Sequence, residues 1–386
     1  MTDTSTRNAA ASRLRAVNRQ RNIEEFEARA AALESMPRVI FVELTDNCNL
    51  SCPMCRSAGK FDRSRVMSPE LFSNVAEQLF PTAEIVDLRG WGESTILRDF
   101  PRYVDETLEY GCRIRLVTNL TVPNEALWRK LVRSGASIVV SFDAARPETF
   151  ALLRGGARLD VVLDNLRILV DEGRASGMGT DNIHLNVVVQ RNALEELSEI
   201  ISLAGELGLR VAINPVVLPE GHPDNLRLHR SRLAEELDRA AQRAQELGVD
   251  AQLNAALDPE WSDLSHTDKT CTHPWMYCYV NFRGQVGFCD HLVGEAKARY
   301  LLGDLTTTSF AEIWNGQAYQ RLRSEHAHGA KAISAMFDEC RWCYGNRYVD
   351  FDQQTYPPYA DHLMELRPVH CAGFTPRPRD PDGPAR

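Results

Sequence analysis

Nowhere in the 386 residues do eighteen apolar side chains follow one another, so nothing reads as a membrane-spanning helix. The first fifteen residues are polar and arginine-bearing and lack the apolar core of a secretory signal. These two absences make a cytoplasmic protein without a membrane partner the expectation. Positive charge is short as well. The 44 Lys and Arg stand against 53 Asp and Glu, a net charge of −9, whereas a nucleic-acid binder would carry a basic surface. That balance speaks against nucleic acid and favours a small or cationic substrate. No internal repeat is visible, and 25% charged with 44% apolar residues is ordinary for a globular chain. A disulfide framework is also missing: the ten cysteines lie in clusters along a long chain, which suits metal ligation in a reducing compartment.

The length allows a large unit plus a small one. Ile23, Phe26, Ala30 and Leu33 form one apolar stripe, so residues 1–36 read as a helical extension. β-rich runs follow at 38–44, 84–89, 113–117, 137–142, 183–189 and 211–217, separated by helical patterns at 69–79, 99–109, 124–133, 159–172 and 194–207. Regular alternation of strand and helix indicates an α/β fold with a parallel sheet. Six strands fall short of the eight of a closed barrel. A partial TIM-like (β/α)6 barrel over 37–225 is therefore the economical reading. Its active site should lie at the C-terminal ends of the strands. Residues 226–370 then hold a linker helix and a small cysteine-rich α+β unit, with a hairpin at 277–289. The proline-rich stretch 371–386 reads as a disordered tail.

Cys48, Cys52 and Cys55 place three thiols within eight residues, directly after the first β-run. Three thiolates this close can grip one 4Fe-4S cluster, and because such clusters usually take four cysteines, one iron would stay open. A zinc knuckle or three separate buried thiols is the rival reading. A second set comprises Cys271 and Cys289, spaced around Gly284, with Cys340 and Cys343 farther on. Four thiolates can close a second cluster, or hold zinc. Cys112 opens a strand and reads as core, while Cys278 and Cys371 have no settled role.

The C-x3-C-x2-C spacing resembles the signature of the radical S-adenosylmethionine (SAM) enzymes. Met54 stands where that family usually has an aromatic residue. Gly90-Trp91-Gly92-Glu93 after the second strand is similar to the family's glycine-rich segment, whose backbone binds the methionyl amine of SAM. By the same resemblance, Ser141 and Asp143 at the end of strand four contact the ribose, although Asp143 could equally cap a helix. Thr118, Asn119, Arg154, Asn186 and Gln190 would line the pocket. The second thiol set, with Pro274-Trp275, 302–305 and 312–315, resembles the family's SPASM and twitch domains. The shorter twitch form is the better match, because the later SPASM cysteines are missing.

The resemblance implies one 4Fe-4S cluster at the SAM site, one auxiliary 4Fe-4S cluster, and an external electron donor such as flavodoxin or ferredoxin. It implies reductive cleavage of SAM to a 5'-deoxyadenosyl radical that takes hydrogen from a small-molecule substrate. A sugar or aminocyclitol of an antibiotic (aminoglycoside) pathway is the expected substrate, its alcohol oxidised to a ketone with His184, Glu220, His222 or Tyr344 as base. Epimerisation would instead use Cys278 as hydrogen donor. Dehydration and decarboxylation stay open, as does ribosomal-peptide maturation, although the segment before strand one is too short for the leader-recognition domain that the resemblance associates with many peptide modifiers. A non-catalytic scaffold is the outlying alternative.

Overall fold

The computed structural model describes residues 2–55, 61–216, 218, 221–253, 257, 271–289 and 300–346, with the side chains of 2–10, 342, 343, 345 and 346 left aside. Seven strands follow one another in parallel: β1 (Val39–Val42), β2 (Ile85–Asp87), β3 (Arg113–Thr118), β4 (Ser137–Ser141), β5 (Ile183–Val189), β6 (Arg210–Pro215) and β7 (Ala251–Leu253). Their spatial order is their chain order. Right-handed crossovers between neighbours taken in sequence keep every connecting helix on one face of the sheet, so the other face curves into an open lumen.

The helices on the outer face are α2 (Pro69–Leu79), α3 (Phe100–Glu109), α4 (Glu125–Arg133), α5 (Pro147–Leu153), α6 (Leu159–Ser176), α7 (Leu197–Leu207) and α8 (Arg230–Leu247), preceded in the chain by α1 (Thr2–Glu27). Their starts follow from local chemistry: Ser68 and Asn124 accept from Leu71 N and Leu127 N, capping α2 and α4. Strand β5 shows how the two faces sort. Ile183, Leu185, Val187 and Val189 are buried toward the helices, while His184, Asn186 and Val188 alternate onto the half-buried lumen side.

The C-terminal unit contains α9 (His273–Met276), β8 (Tyr277–Val280), β9 (Gln285–Gly287), β10 (Gly303–Asp304), α10 (Phe310–Trp314), α11 (Gln317–Ala327) and α12 (Asp338–Asn346). It does not stand apart. β8 pairs in parallel with β1, and β9 and β10 continue antiparallel, giving one ten-stranded sheet in the order β10-β9-β8-β1-β2-β3-β4-β5-β6-β7. β7, only three residues long, was not expected from the sequence. The expected tail and Cys371 lie outside the described residues.

The stretch before β1 stitches the two parts together. Asn22 Nδ2 donates to Trp275 O (2.8 Å), Trp275 Nε1 to Ala30 O (2.8 Å), Trp314 Nε1 to Ser35 O (2.8 Å) and Arg323 Nη1 to Ala31 O (2.9 Å). At the mouth of β1 the wholly buried Arg38 pairs with Glu84 at 2.6 Å, and Arg19 of α1 takes the other carboxylate oxygen at 2.6 Å. Removing one partner of a buried pair costs more than the pair contributes. Glu84→Ala should therefore lower the unfolding free energy by about 3–5 kcal/mol in urea denaturation; a loss below about 1 kcal/mol would mean the guanidinium is satisfied without its carboxylate.

Candidate active site: a thiol loop at the lumen rim and a second thiol set

The loop after β1 is held from below before any cysteine is reached. Thr45 bridges Val66, and its hydroxyl donates to Arg65 O at 2.6 Å. Asn47 accepts from Asp62 N (2.8 Å) and donates to Asp62 O (2.9 Å) and to the Thr45 hydroxyl (2.8 Å). Asp46 pairs with Arg65. On this base Cys48 is half-buried, Cys52 buried and Cys55 exposed. Leu50 N donates to Cys48 Sγ at 3.4 Å, and Asn119 Nδ2 lies 3.8 Å from the same sulfur. Burial pushes the Cys48 and Cys52 thiols above their ordinary range, with the Arg154 guanidinium pulling Cys52 part of the way back.

Two glycines press on this loop. A Cβ on Gly92 would lie 2.2 Å from Asn47 O, and one on Gly155 would lie 2.5 Å from Ser51 N, at a backbone φ of +56°. Only glycine allows such backbone approach. Gly155 was not singled out from the sequence; its neighbour Arg154 was.

The donor set suits an iron-sulfur cubane. In a cubane each cysteine takes a different iron, whereas tetrahedral zinc draws its ligands onto one point. Among the described residues no three His, Cys, Asp or Glu side chains converge as a single ion would require. Two buried donors beside the loop, Ser94 Oγ and Arg154 Nε, have no hydrogen-bond partner among the described residues.

Several expected pocket residues turn out to be struts. Glu93 is buried and accepts from Asn119 N (2.6 Å), the Thr95 hydroxyl (2.6 Å) and the Thr118 hydroxyl (2.9 Å). Its carboxylate, held above its ordinary range by burial against the lowering effect of these donors, braces the ends of β2 and β3. Thr118 is consumed in the same brace. Asp143 accepts from Val188 N (2.8 Å) and from Arg154 Nη1 (3.0 Å). It caps no helix, because Ala145 N and Arg146 N at the start of α5 go to Glu196. Asn119 does reach the first cysteine, through Cys48 Sγ and Asn49 Oδ1 (2.9 Å). Met54 packs half-buried against the core. Ser141 pairs in register with Asn186, whose Oδ1 accepts from Asn214 Nδ2 at 2.8 Å, so both face the lumen. Gln190 Nε2 is buried without a hydrogen-bond partner among the described residues.

The candidate bases scatter. His184 is the second residue of β5, paired with Val139 and Arg210 toward the strands' N-terminal ends, away from the thiol loop. His222 Nδ1 accepts from Asp224 N (3.1 Å) in the loop beyond β6. Glu220 lies outside the described residues. Cys278, expected as a hydrogen donor facing substrate, is corrected: it pairs with Ile40 and is wholly buried on the outer face, near Tyr319 of α11. Tyr344 is corrected likewise, since its hydroxyl accepts from Cys271 N at 2.8 Å in the C-terminal unit.

One lumen group escaped the sequence altogether. Glu43, just past β1, accepts from Trp91 N (2.9 Å) and from the Tyr279 hydroxyl (2.5 Å), and Gly90 packs so close that a Cβ there would sit 2.4 Å from Glu43 Cγ. Burial raises its carboxyl to about 7, against the lowering effect of its two donors. Its signal was an acid directly ending an apolar strand. Phe41, Asp87, Arg89 and Arg115 share the lumen, with Asp87 between Arg89 (2.9 Å) and Arg115 (3.6 Å).

The second thiol set brackets the β8–β9 hairpin. Cys271 precedes α9, Cys289 follows β9 and Cys340 lies in α12; the Cys343 side chain is outside the described residues. Tyr344 of α12 binds the Cys271 amide, which brings the C-x2-C helix against the first cysteine.

The family comparisons meet this geometry at both thiol sets: the Radical SAM superfamily profile matches residues 42–187, and the SPASM iron-sulfur cluster-binding domain matches 271–344. The protein is a radical SAM enzyme with a C-terminal SPASM-type domain. Its similarity to the mycofactocin maturase MftC of Mycolicibacterium smegmatis is 25% identity over 83% of this chain and 80% of that protein. The AdoMet-dependent heme synthase of Methanosarcina barkeri is 26% identical over 82% and 94%. Streptococcus suis SuiB bound to the precursor peptide SuiA shares the fold at TM-score 0.59 and 16% identity, over 79% of this chain and 70% of that one. The radical SAM and SPASM domains bring a 4Fe-4S cluster, SAM and auxiliary iron-sulfur to the protein. Among the described residues no helix is long and apolar enough to cross a membrane.

Two tests follow from the site. Gly155→Ala should displace the thiol loop and cut the iron bound at it, read by iron content and visible absorbance, whereas Gly156→Ala, equally strained in backbone at φ +85° but meeting no neighbouring atom, should retain the iron and so separates the clash with the loop from the backbone strain. Equal retention in both would show that the loop yields. Glu43, with a folded value of about 7 above the ordinary 4.5, binds more protons folded than unfolded between those values. Stability therefore falls as pH rises through that window. Glu43→Gln should remove this fall, a relative gain on the order of 3 kcal/mol above pH 7; parallel stability curves for the two proteins would contradict it.

Proposed function

We propose that this radical SAM enzyme matures a precursor peptide made on the ribosome. The observation that carries the reading is the likeness to the mycofactocin maturase over 83% of this chain and 80% of that protein, joined by the fold shared with the peptide-bound SuiB, whereas the heme synthase, matched as widely, has no such second neighbour among those named above. The SuiB neighbour adds that this fold accommodates a precursor peptide. None of the relatives named above is a carbohydrate oxidase, and the aminocyclitol oxidation expected from the sequence gains no support from them. The thiol that epimerisation would need faces outward, and Tyr344 lies in the C-terminal unit against Cys271.

In this reading Cys48, Cys52 and Cys55 hold the SAM-site cluster, and Cys271, Cys289, Cys340 and Cys343 the auxiliary one. When bound, the first cluster and SAM supply a 5'-deoxyadenosyl radical, and the auxiliary cluster supplies electron transfer. The chain's own residues do the rest. Asn119 holds the sulfur of Cys48, and Gly92 and Gly155 let the loop seat against the rim. Arg154, anchored by Asp143, places positive charge beside the cysteines, where it favours their thiolates. Glu43 fixes the Trp91 amide and holds or releases a proton at its carboxyl near neutral pH, inside the lumen where a substrate would lie.

The test is anaerobic turnover with SAM and reductant, offering in parallel a short peptide encoded beside the gene and a pool of aminocyclitols. Deoxyadenosine formed above background together with a changed peptide mass is the expected result. Deoxyadenosine and a two-unit mass loss only in the aminocyclitol pool would replace peptide maturation by alcohol oxidation.

A further inference from the structure

Beside Cys271 stands a histidine that the spacing of cysteines does not reveal. His273 Nδ1 lies 3.4 Å from Cys271 Sγ, and the imidazole is buried at the start of α9. Its ring lies 4.2 Å from that of Tyr277 at a 35° tilt. Tyr277 in turn stacks on Phe41 of β1 at 5.8 Å and 26°, and Arg89 sits 4.7 Å over the Phe41 ring. The imidazole is thus clamped by an aromatic stack that runs from the second thiol set into the barrel lumen. The backbone of Cys271 is fixed from the other side by the Tyr344 hydroxyl.

A cysteine bound to iron is a thiolate and can only accept. A hydrogen bond across this 3.4 Å contact therefore requires the proton on Nδ1 of His273, with the nitrogen as donor. Hydrogen bonds to ligand sulfurs favour the more negatively charged, reduced state of a cluster and so move its potential upward. We propose that His273 is the residue that sets the auxiliary cluster's potential, donating to Cys271 Sγ from an orientation fixed by the Tyr277–Phe41 stack. The consequence is an auxiliary cluster that accepts an electron more readily, joined to the lumen by contiguous ring contacts. His273 acts through Cys271 and is a positioning residue. The inference rests on the reading of Cys271 as a cluster ligand.

The experiment uses the full chain carrying Cys48→Ala, Cys52→Ala and Cys55→Ala, so that only the auxiliary cluster is reconstituted, and follows its reduction by redox titration with electron paramagnetic resonance. His273→Phe keeps a ring on Tyr277 and loses the donor; its midpoint should shift to a more negative potential with iron content unchanged. His273→Gln restores a donor and should bring the potential part of the way back. An unchanged midpoint in His273→Phe overturns the proposal, and so does loss of iron in that variant, which would make His273 a ligand instead of a donor. Cys271→Ser checks the underlying reading separately. Retention of the native cluster spectrum there would remove Cys271 from the ligand set, whatever His273 does.

Discussion

Strand β1 is the joint on which both halves of the molecule depend. Its four residues are buried on every side, hydrogen-bonded to β2 along one edge and to β8 along the other. The same register is continued past its ends, by Arg38 N to Met276 O (2.8 Å) and Glu43 N to Val280 O (2.9 Å). Side chains alternate across a strand, so a slip of one residue would turn Phe41 and Glu43 out of the lumen and onto the helices. It would also carry the thiol loop, which begins three residues after the strand, away from Gly92 and Gly155. Register at β1 thus places the SAM site, the lumen carboxylate and the aromatic contact to the auxiliary unit in a single act.

The lumen that results is more charged than a stability argument alone would favour. Glu43, Asp87, Arg89 and Arg115 are gathered on the concave face, with an Asn186–Asn214 pair nearby. Burying charge is costly unless each group is paired with good geometry, and an apolar replacement of similar shape is often at least as stable. The outer face shows what the chain does when only packing matters: Ile183, Leu185, Val187 and Val189 pack against helices without a polar atom. The contrast sets the polar lumen apart from the packed outer face. Glu43 holds a proton readily because burial outweighs the lowering by Tyr279, the Trp91 amide and Arg65.

Much of this was legible in the sequence, and what was illegible has a common physical cause. Alternating strands and amphipathic helices announce themselves through their periods, so six of the seven parallel strands could be read directly, while β7 offers only Ala-Gln-Leu and no alternation. The thiol sets were legible because close spacing along the chain is itself proximity. Cys278 was misread because its direction depends on pairing with Ile40, two hundred residues away in sequence. His184 does face the lumen, but its level along β5 is set by pairing with Val139 and Arg210, and the place of Tyr344 is set by the packing of α12 against Cys271. Glu93 and Asp143 look like ligands in a motif, yet their carboxylates also accept from Asn119 N and Val188 N, which are distant in sequence.

Pairing β8 with β1 has a further consequence for electron flow between the two thiol sets. A separate domain on a linker would hold its cluster at a variable distance from the lumen. Here the hairpin that carries Cys271 and Cys289 at its two ends is part of the same sheet as the SAM-site strand, so relative motion would break the ladder hydrogen bonds between β1 and β8. The stitching of residues 22–36 to Trp275, Trp314 and Arg323 restrains the same joint from outside. Rigid placement matters because the protein must position reactive groups that it does not itself supply, and positioning is lost over small displacements. The sheet therefore does for the two clusters what a shared backbone does for two residues of one strand: it makes their separation a property of the fold.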